Sequence, residues 1–303
     1  MSQSRQKHRR QQLRLLCAVT AAACLALWLS SASAADADRF KDVKVTSTEI
    51  VPGLHMLTGA GGNIAASVGP DGTLIVDTQY GPLAKRILRA LNRIDGDAPK
   101  LVINTHYHGD HTGSNGAFGT AGTIIAHANV HARLIGDSAL QRSAMPSVTF
   151  KDRLRLHFNN DAIDLIHMPA GHTDGDAVVW FRNANVIHMG DHYFRANFPY
   201  VDIDAGGSVS GVIDNLESIL RMAPADITVI PGHGPIATLK ELGETLNMLR
   251  QTSAMVRQQL ANGASEATLI KQGLGAQWQS WGNGFINEER WIRTLVKDAG
   301  LPQ

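Results

Sequence analysis

Two sheets packed face to face, with helices on their outer faces, are what the sequence predicts; the fold class is α/β. Three observations lead there. Runs with β character are followed by mixed β and helical segments, and that order occurs twice along the chain. The helical segment 82–94 is amphipathic, with Leu83, Ile87, Leu88 and Leu91 on one face and bases on the other, so it has one face to bury and one to leave in water. No Pro/Gly/Ser-rich linker, low-complexity tract or short repeat divides the body, which makes a single domain the simplest organisation.

Residues 1–34 stand apart from that body. MSQSRQKHRRQQLR carries five Lys/Arg and no acid, LLCAVTAAACLALWL is apolar over 15 residues, and Ala32-Ser33-Ala34 offers a small-residue cleavage site. This is the layout of a secretory signal peptide, and the apolar run is short for a membrane span. RRQQLR also fits a twin-arginine signal loosely. An uncleaved anchor is the alternative; in either case the body, 35–303, is expected in the periplasm or secreted, with no membrane contact apart from the leader. Five of the 28 basic residues leave with 1–34, so 23 then face 27 acids, near −4 with histidine neutral. That balance speaks against a nucleic-acid partner and leaves a small-molecule substrate as the expected one. Both cysteines, Cys17 and Cys24, lie in the leader, so the body has no disulfide framework and a metal site must use histidines and carboxylates.

The body opens on strands: DVKVTSTEI, GLHMLTG, NIAASVG and TLIVDT, with the turn signal GPDG at 69–72. PLAKRILRALNRI, 82–94, switches to helical spacing behind Pro82. KLVINTH and TIIAH read as strands around a short helical stretch, and ANVHARLIG as helix. A second β-rich block follows in RLRLHF, AIDLIHM, AVVWF and NVIHMGD. SVSGVIDNLESILRMA is helix, DITVIPGH strand, and the part from about 237 is helical, with Trp278, Trp281 and Trp291 assigned to packing.

The polar residues at the strand exits do not belong to a core. NTHYHGDHTGSN packs His106, His108, Asp110 and His111 directly behind KLVI. On an extended strand His106 and His108 point the same way, about 7 Å apart, and Gly109 lets the chain turn Asp110 and His111 back to the same region. Imidazoles and a carboxylate gathered in this way suit Zn²⁺ or a similar first-row ion. Three further strand exits look alike: His172 in PAGHTDGD, Asp191 in IHMGDHYF and His233 in IPGHGP. The other histidines, among them His55, His127, His131, His157, His167 and His188, have no matching partner and are assigned to structure.

H-x-H-x-D-H, then G-H-T, G-D and G-H-G, each after a strand and in that order, resembles the metallo-β-lactamase superfamily over nearly all of residues 44–236. The resemblance implies an αββα sandwich with a two-metal site at one edge. It implies His106, His108 and His172 on the first metal, Asp110, His111 and His233 on the second, Asp191 bridging, and Asp77 as the carboxylate that orients a ligand histidine. Two Zn²⁺ ions are the cofactor expected, a single iron the alternative. Two dications about 3.5 Å apart would acidify a shared water into a nucleophile and polarise a carbonyl, with Asp110 also able to position or receive a proton. The expected activity is hydrolysis, with β-lactam hydrolysis first; a thioesterase of the hydroxyacylglutathione-hydrolase type and an iron persulfide dioxygenase or sulfur-oxidation accessory protein are the alternatives. Asn63, His192, Tyr193, Phe194, Phe198 and Tyr200 are the candidate pocket residues, and the GAGGN loop, Gly59 to Asn63, a candidate flap over the metals. The oligomeric state is not legible.

Overall fold

The computed structural model describes residues 39–300; the leader, with Cys17 and Cys24, lies outside the described residues. The chain divides into two units, 1–43 and 44–303. Of the first, the described part is a turn closed by Val43 N donating to Phe40 O at 3.1 Å.

Seven strands form the first sheet in sequence order: β1 (Thr46–Val51), β2 (Leu54–Thr58), β3 (Ile64–Gly69), β4 (Gly72–Val76), β5 (Leu101–Ile103), β6 (Thr123–His127) and β7 (Val148–Phe150). Pairing is antiparallel up to β4 and parallel from β4 to β7. Parallel neighbours need crossovers, and helices supply them: α1 (Ala84–Asn92) after β4, the single turns α2 (Gly109–Thr112) and α3 (Asn115–Phe118) after β5, and α4 (Ala128–Ile135) after β6. The second sheet takes β8 (Arg153–Phe158), β9 (Asp161–His167), β10 (Ala177–Phe181), β11 (Val186–His188), β12 (Thr228–Ile230) and β13 (Ala237–Thr238) in the order β13-β12-β11-β10-β9-β8. Its one parallel pair, β11 with β12, is bridged by α5 (Val209–Met222). Ser208, in the GSVSG stretch, caps α5 by accepting from Gly211 N at 2.9 Å. The chain ends in α6 (Leu239–Ala261), α7 (Glu266–Gln272) and α8 (Glu288–Ala299). Thr238 and Glu241 start α6 as a reciprocal capping box.

Period-two alternation builds two cores. On β10, Ala177, Val179 and Phe181 face the first sheet and meet Leu74, Val76, Ile103 and Ile125. Val178 and Trp180 face the other way, under α5, α6 and α8, with Leu216, Ile219, Leu249 and Trp291. Each such fully buried side chain contributes roughly 1.5–3 kcal/mol. Trp278 and Trp291 are buried here as expected, and Trp291 Nε1 donates to Thr252 Oγ1 at 3.1 Å. Among the described residues no helix is long and apolar enough to cross a membrane. Once both sheet faces are covered, β4, β5, β9, β11 and β12 are followed at one edge by loops rich in ligand-type residues.

Candidate metal centre

Strand β5 ends earlier than KLVINTH suggests. Asn104 N still reaches Ile125 O at 3.0 Å, but Thr105 is taken by Asp77, its N donating to Oδ1 and its Oγ1 to Oδ2, both at 2.8 Å. The carboxylate thus replaces the ladder, and His106 and His108 sit on a loop with rings perpendicular and 4.8 Å apart. Asp77 itself follows β4 at φ 66° and is fully buried. A left-handed conformation is uncommon for a residue other than glycine, and such outliers concentrate at functional sites.

Seven side chains converge. His106, His108, His172 and Asp191 form one group and Asp110, His111 and His233 another, donor atoms within 4.8 Å of one another in each. In the first, His108 Nδ1 lies 3.1 Å from His106 Nε2 and 2.8 Å from His172 Nε2. In the second, His111 Nε2 and His233 Nε2 are 3.3 Å apart, with Asp110 Oδ2 at 3.6 and 3.4 Å from them. Asp191 spans both: Oδ2 is 3.8 Å from His106 and 3.6 Å from His172, while Oδ1 is 3.1 Å from His111 and 3.3 Å from His233. Each of the seven expected ligands is therefore at the centre.

Hydrogen bonds behind the rings decide what the converging nitrogens can do. Thr105 Oγ1 gives its only proton to Asp77, so it accepts from His106 Nδ1 at 3.0 Å and leaves Nε2 bare. His172 Nδ1 donates to Tyr200 O at 2.7 Å, His108 Nε2 to Asp202 Oδ2 at 3.0 Å, and His111 Nδ1 to Asp77 Oδ2 at 2.7 Å. In their neutral forms, rings held this way aim four lone pairs inward, and lone pairs cannot hydrogen-bond one another. A tetrahedral cation with bonds of about 2.0–2.1 Å separates its nitrogens by roughly 3.3 Å, close to the spacings seen. Asp191 Oδ1 is buried and makes no well-formed hydrogen bond despite its near neighbours. Burial would raise the Asp191 carboxyl, but His111 and His233 hold it well below the usual range. Burial, then His111, pushes His106 down, and burial takes His172 to about 4. His111 goes the other way: burial opposes protonation, but Asp191, Asp77 and Asp110 outweigh it. The donor set and the orphaned oxygen both fit a pair of cations.

The pocket candidates fare differently. Tyr193 and Phe198 are corrected: both are buried in the core under α5, α6 and α8, and Phe198 stacks on Trp291 at 5.8 Å. His192 is buried too, its Nε2 3.0 Å from Asn215 Nδ2 and its pKa driven by burial to about 3. Asn63 is a brace, donating from Nδ2 to Pro231 O at 2.9 Å and Gly234 O at 2.8 Å. The GAGGN loop is pinned rather than poised as a flap, with Gly62 N on Asp110 O at 3.1 Å and Asn63 N on Gly232 O at 2.8 Å. Bare backbone is required there. A Cβ on Gly62 would meet the His111 ring at 2.1 Å, and one on Gly232 would meet Asp191 Oδ1 at 2.1 Å. Asp202 is the functional residue that the sequence reading missed, since nothing in FPYVDIDAG marks it as the partner of a histidine 94 positions earlier. His188, assigned to structure, donates from Nε2 to Asn63 O at 3.0 Å.

The sequence model of the metallo-beta-lactamase superfamily matches residues 58–233, a stretch that contains all seven converging residues. The chain is 28% identical over 134 residues to a hydroxyacylglutathione hydrolase of Methylococcus capsulatus, covering 44% of this chain and 47% of that protein. It is 25% identical over 181 residues to a metallo-beta-lactamase type 2 of Bacillus sp. (strain 170), covering 59% of this chain and 69% of that one. For several curated relatives the match spans only about half their own length. Among solved structures, a metallo-beta-lactamase from Pontibacter korlensis superposes with a TM-score of 0.60 at 17% identity, over 68% of this chain and 99% of that one. That likeness is one of fold.

Proposed function

The chain belongs to the metallo-beta-lactamase superfamily, and from that premise we propose that it is an exported, dizinc hydrolase that cleaves an activated carbonyl, with the β-lactam amide as the first substrate to test. The observation that carries this is Asp191, whose two oxygens each face a different triad. When bound, a pair of dications supplies the charge that acidifies water and polarises a carbonyl.

The chain's own residues do the rest. His106, His108 and His172 would hold one ion, Asp110, His111 and His233 the other, and Asp191 both. Asp77, Asp202 and the Tyr200 carbonyl fix the tautomers, so the ligand atoms need no reorganisation on binding. His108, Asp110 and His233, with side chains 18%, 22% and 30% exposed, form the open side from which a substrate approaches. On that side Asp110 Oδ2 is the carboxylate atom that can position water or take up a proton. The buried remainder excludes solvent. Export rests on the leader reading, and it suits β-lactams, which act outside the cytoplasmic membrane.

A second reading, thioester hydrolysis, is favoured by one observation: the ligand set is all histidine and aspartate, with the aspartate shared, and the chain matches a hydroxyacylglutathione hydrolase. The deciding experiment is a panel of β-lactams, thioesters, lactones and phosphodiesters on the zinc-loaded mature protein, beside a chelated control and metal analysis of protein purified without added metal. Two zinc equivalents with chelator-sensitive β-lactam turnover are expected. Thioester turnover alone selects the second reading, and one iron with oxygen uptake on persulfide removes both.

A further inference from the structure

One side of the metal centre carries aromatic surface that the core does not use. Tyr200 gives its carbonyl to His172 Nδ1, and its ring stands 5.8 Å from the His108 ring and 5.7 Å from the His172 ring. Phe285 meets Tyr200 edge to face at 6.3 Å, so it lies two ring contacts from His108. Tyr200 is 36% exposed and Phe285 73%. One exposed ring is ordinary, but two rings in contact beside a polar centre match the apolar, aromatic lining with a few polar groups that ligand sites use.

Phe285 is not loose. Its carbonyl accepts from Arg290 Nη1 at 3.1 Å, and the guanidinium lies 5.4 Å from the ring centroid. Ile286 next to it pairs with Phe198, and Phe198 N donates to Trp281 O at 2.9 Å. Residues 281–286 therefore dock along the 197–200 loop as a fixed strip and hold the ring against Tyr200, which in turn contacts His108. This strip lies beyond the stretch, 58–233, that the family shares.

We propose that Tyr200 and Phe285 form an aromatic shelf that receives an aryl group on the substrate, the carbonyl of which is delivered to the metal centre. The inference rests on the hydrolase reading for its substrate, but its geometry stands on the shelf alone. Offset and edge-to-face packing against two rings selects a flat aryl group over a small alkyl one. Tyr200 and Phe285 are specificity residues, and neither is given a role in bond cleavage.

The test compares phenylacetate with acetate, which share a carboxylate head and differ by the ring. Binding to the zinc-loaded protein is measured by calorimetry or by competition, without any turnover. Phenylacetate is expected to bind about tenfold more tightly. Phe285→Ala, at an exposed position where folding is little affected, is expected to bring that ratio down to about two or three. Met222→Ala, at another exposed apolar side chain, on α5, is expected to keep the parent ratio. Equal affinity of the parent for the two acids, no phenylacetate binding at millimolar concentration, or an unchanged ratio in Phe285→Ala overturns the shelf. The two readings fail separately. An aryl preference that disappears in Phe285→Ala while nothing in the substrate panel is hydrolysed removes the hydrolase and keeps the shelf. Hydrolysis with no aryl preference removes the shelf alone.

Discussion

The two halves of the metal centre are built to different standards. In the first triad each histidine is anchored from behind: His106 by Thr105, His108 by Asp202, His172 by the Tyr200 carbonyl. In the second, His111 is held by Asp77, but His233 is 30% exposed and rests on the face of Phe194, 4.9 Å away and nearly parallel. A hydrogen bond fixes a ring in rotation and tautomer, whereas a stacking contact fixes only its plane. The difference teaches that ligand identity does not set grip. The first triad is a preformed socket, the second a socket with one adjustable jaw.

Asp191→Ala should erase the distinction altogether, because both halves share that carboxylate. Metal content is expected to fall from two equivalents to one or none, and kcat/KM by more than the roughly hundredfold that loss of an outer hydrogen-bond partner causes. Elemental analysis after dialysis, with the hydrolysis assay, reads both; two retained equivalents would refute the shared role. Asp77→Ala strikes both halves through the back door, freeing His111 directly and His106 through Thr105. Metal affinity should weaken about 10- to 100-fold, and the unpaired Thr105 amide should cost about 1–3 kcal/mol in denaturant unfolding. Asp77→Asn, which keeps an acceptor oxygen and tolerates the left-handed backbone, should recover part of each.

Acid separates the halves by sign. In metal-free protein the folded-state pKa of His172 is depressed to about 4, and that of His192 beside the centre to about 3. Their contribution to stability is full above the unfolded value near 6.5 and is lost as pH falls toward those folded values. At pH 5 the loss is about 2 kcal/mol per histidine, several degrees in Tm for a chain of this size. His111 is raised, so its contribution is full below about 6.5 and is lost as pH climbs through its folded value. Melting curves from pH 5 to 8 on the parent and on His192→Asn should show the acid loss shrinking in the variant; an identical acid loss would discard the assignment. The smallest effect expected is in metal release. Graded chelator should remove one equivalent at about a tenth of the concentration that removes the other, a difference of about 1.4 kcal/mol, and Phe194→Leu should widen the gap. Release of both together would mean that the two halves grip alike.

The convergence of the seven histidines and aspartates was legible because metal chemistry favours those residue types at strand exits, and both sheets deliver those exits to one edge. Directions after a turn were not. Tyr193 and Phe198 follow the turn Gly190–His192 and a loop, where period-two alternation no longer applies, and their rings go to the core instead of the cleft. Asp202 was illegible for another reason: it follows β11 of the second sheet and its partner His108 follows β5 of the first, and no local spacing encodes that encounter. The GAGGN glycines suggested freedom, and the structure gives the opposite reason for them, close approach to His111. The strand runs could be read from the sequence where they alternate, as in β8, or stay apolar, as in β4 and β10, as their burial demands.

Gly62 and Gly232 press bare main chain against His111 and Asp191. Any larger residue there would unseat a ligand, so that arc of the rim cannot be re-tailored by substitution. On the shelf proposed above, substrate preference would vary instead in the strip that carries Phe285. Under the two readings proposed above, Phe285 could vary without disturbing the metal-holding side chains, whereas Tyr200 is tied to them through the carbonyl that anchors His172.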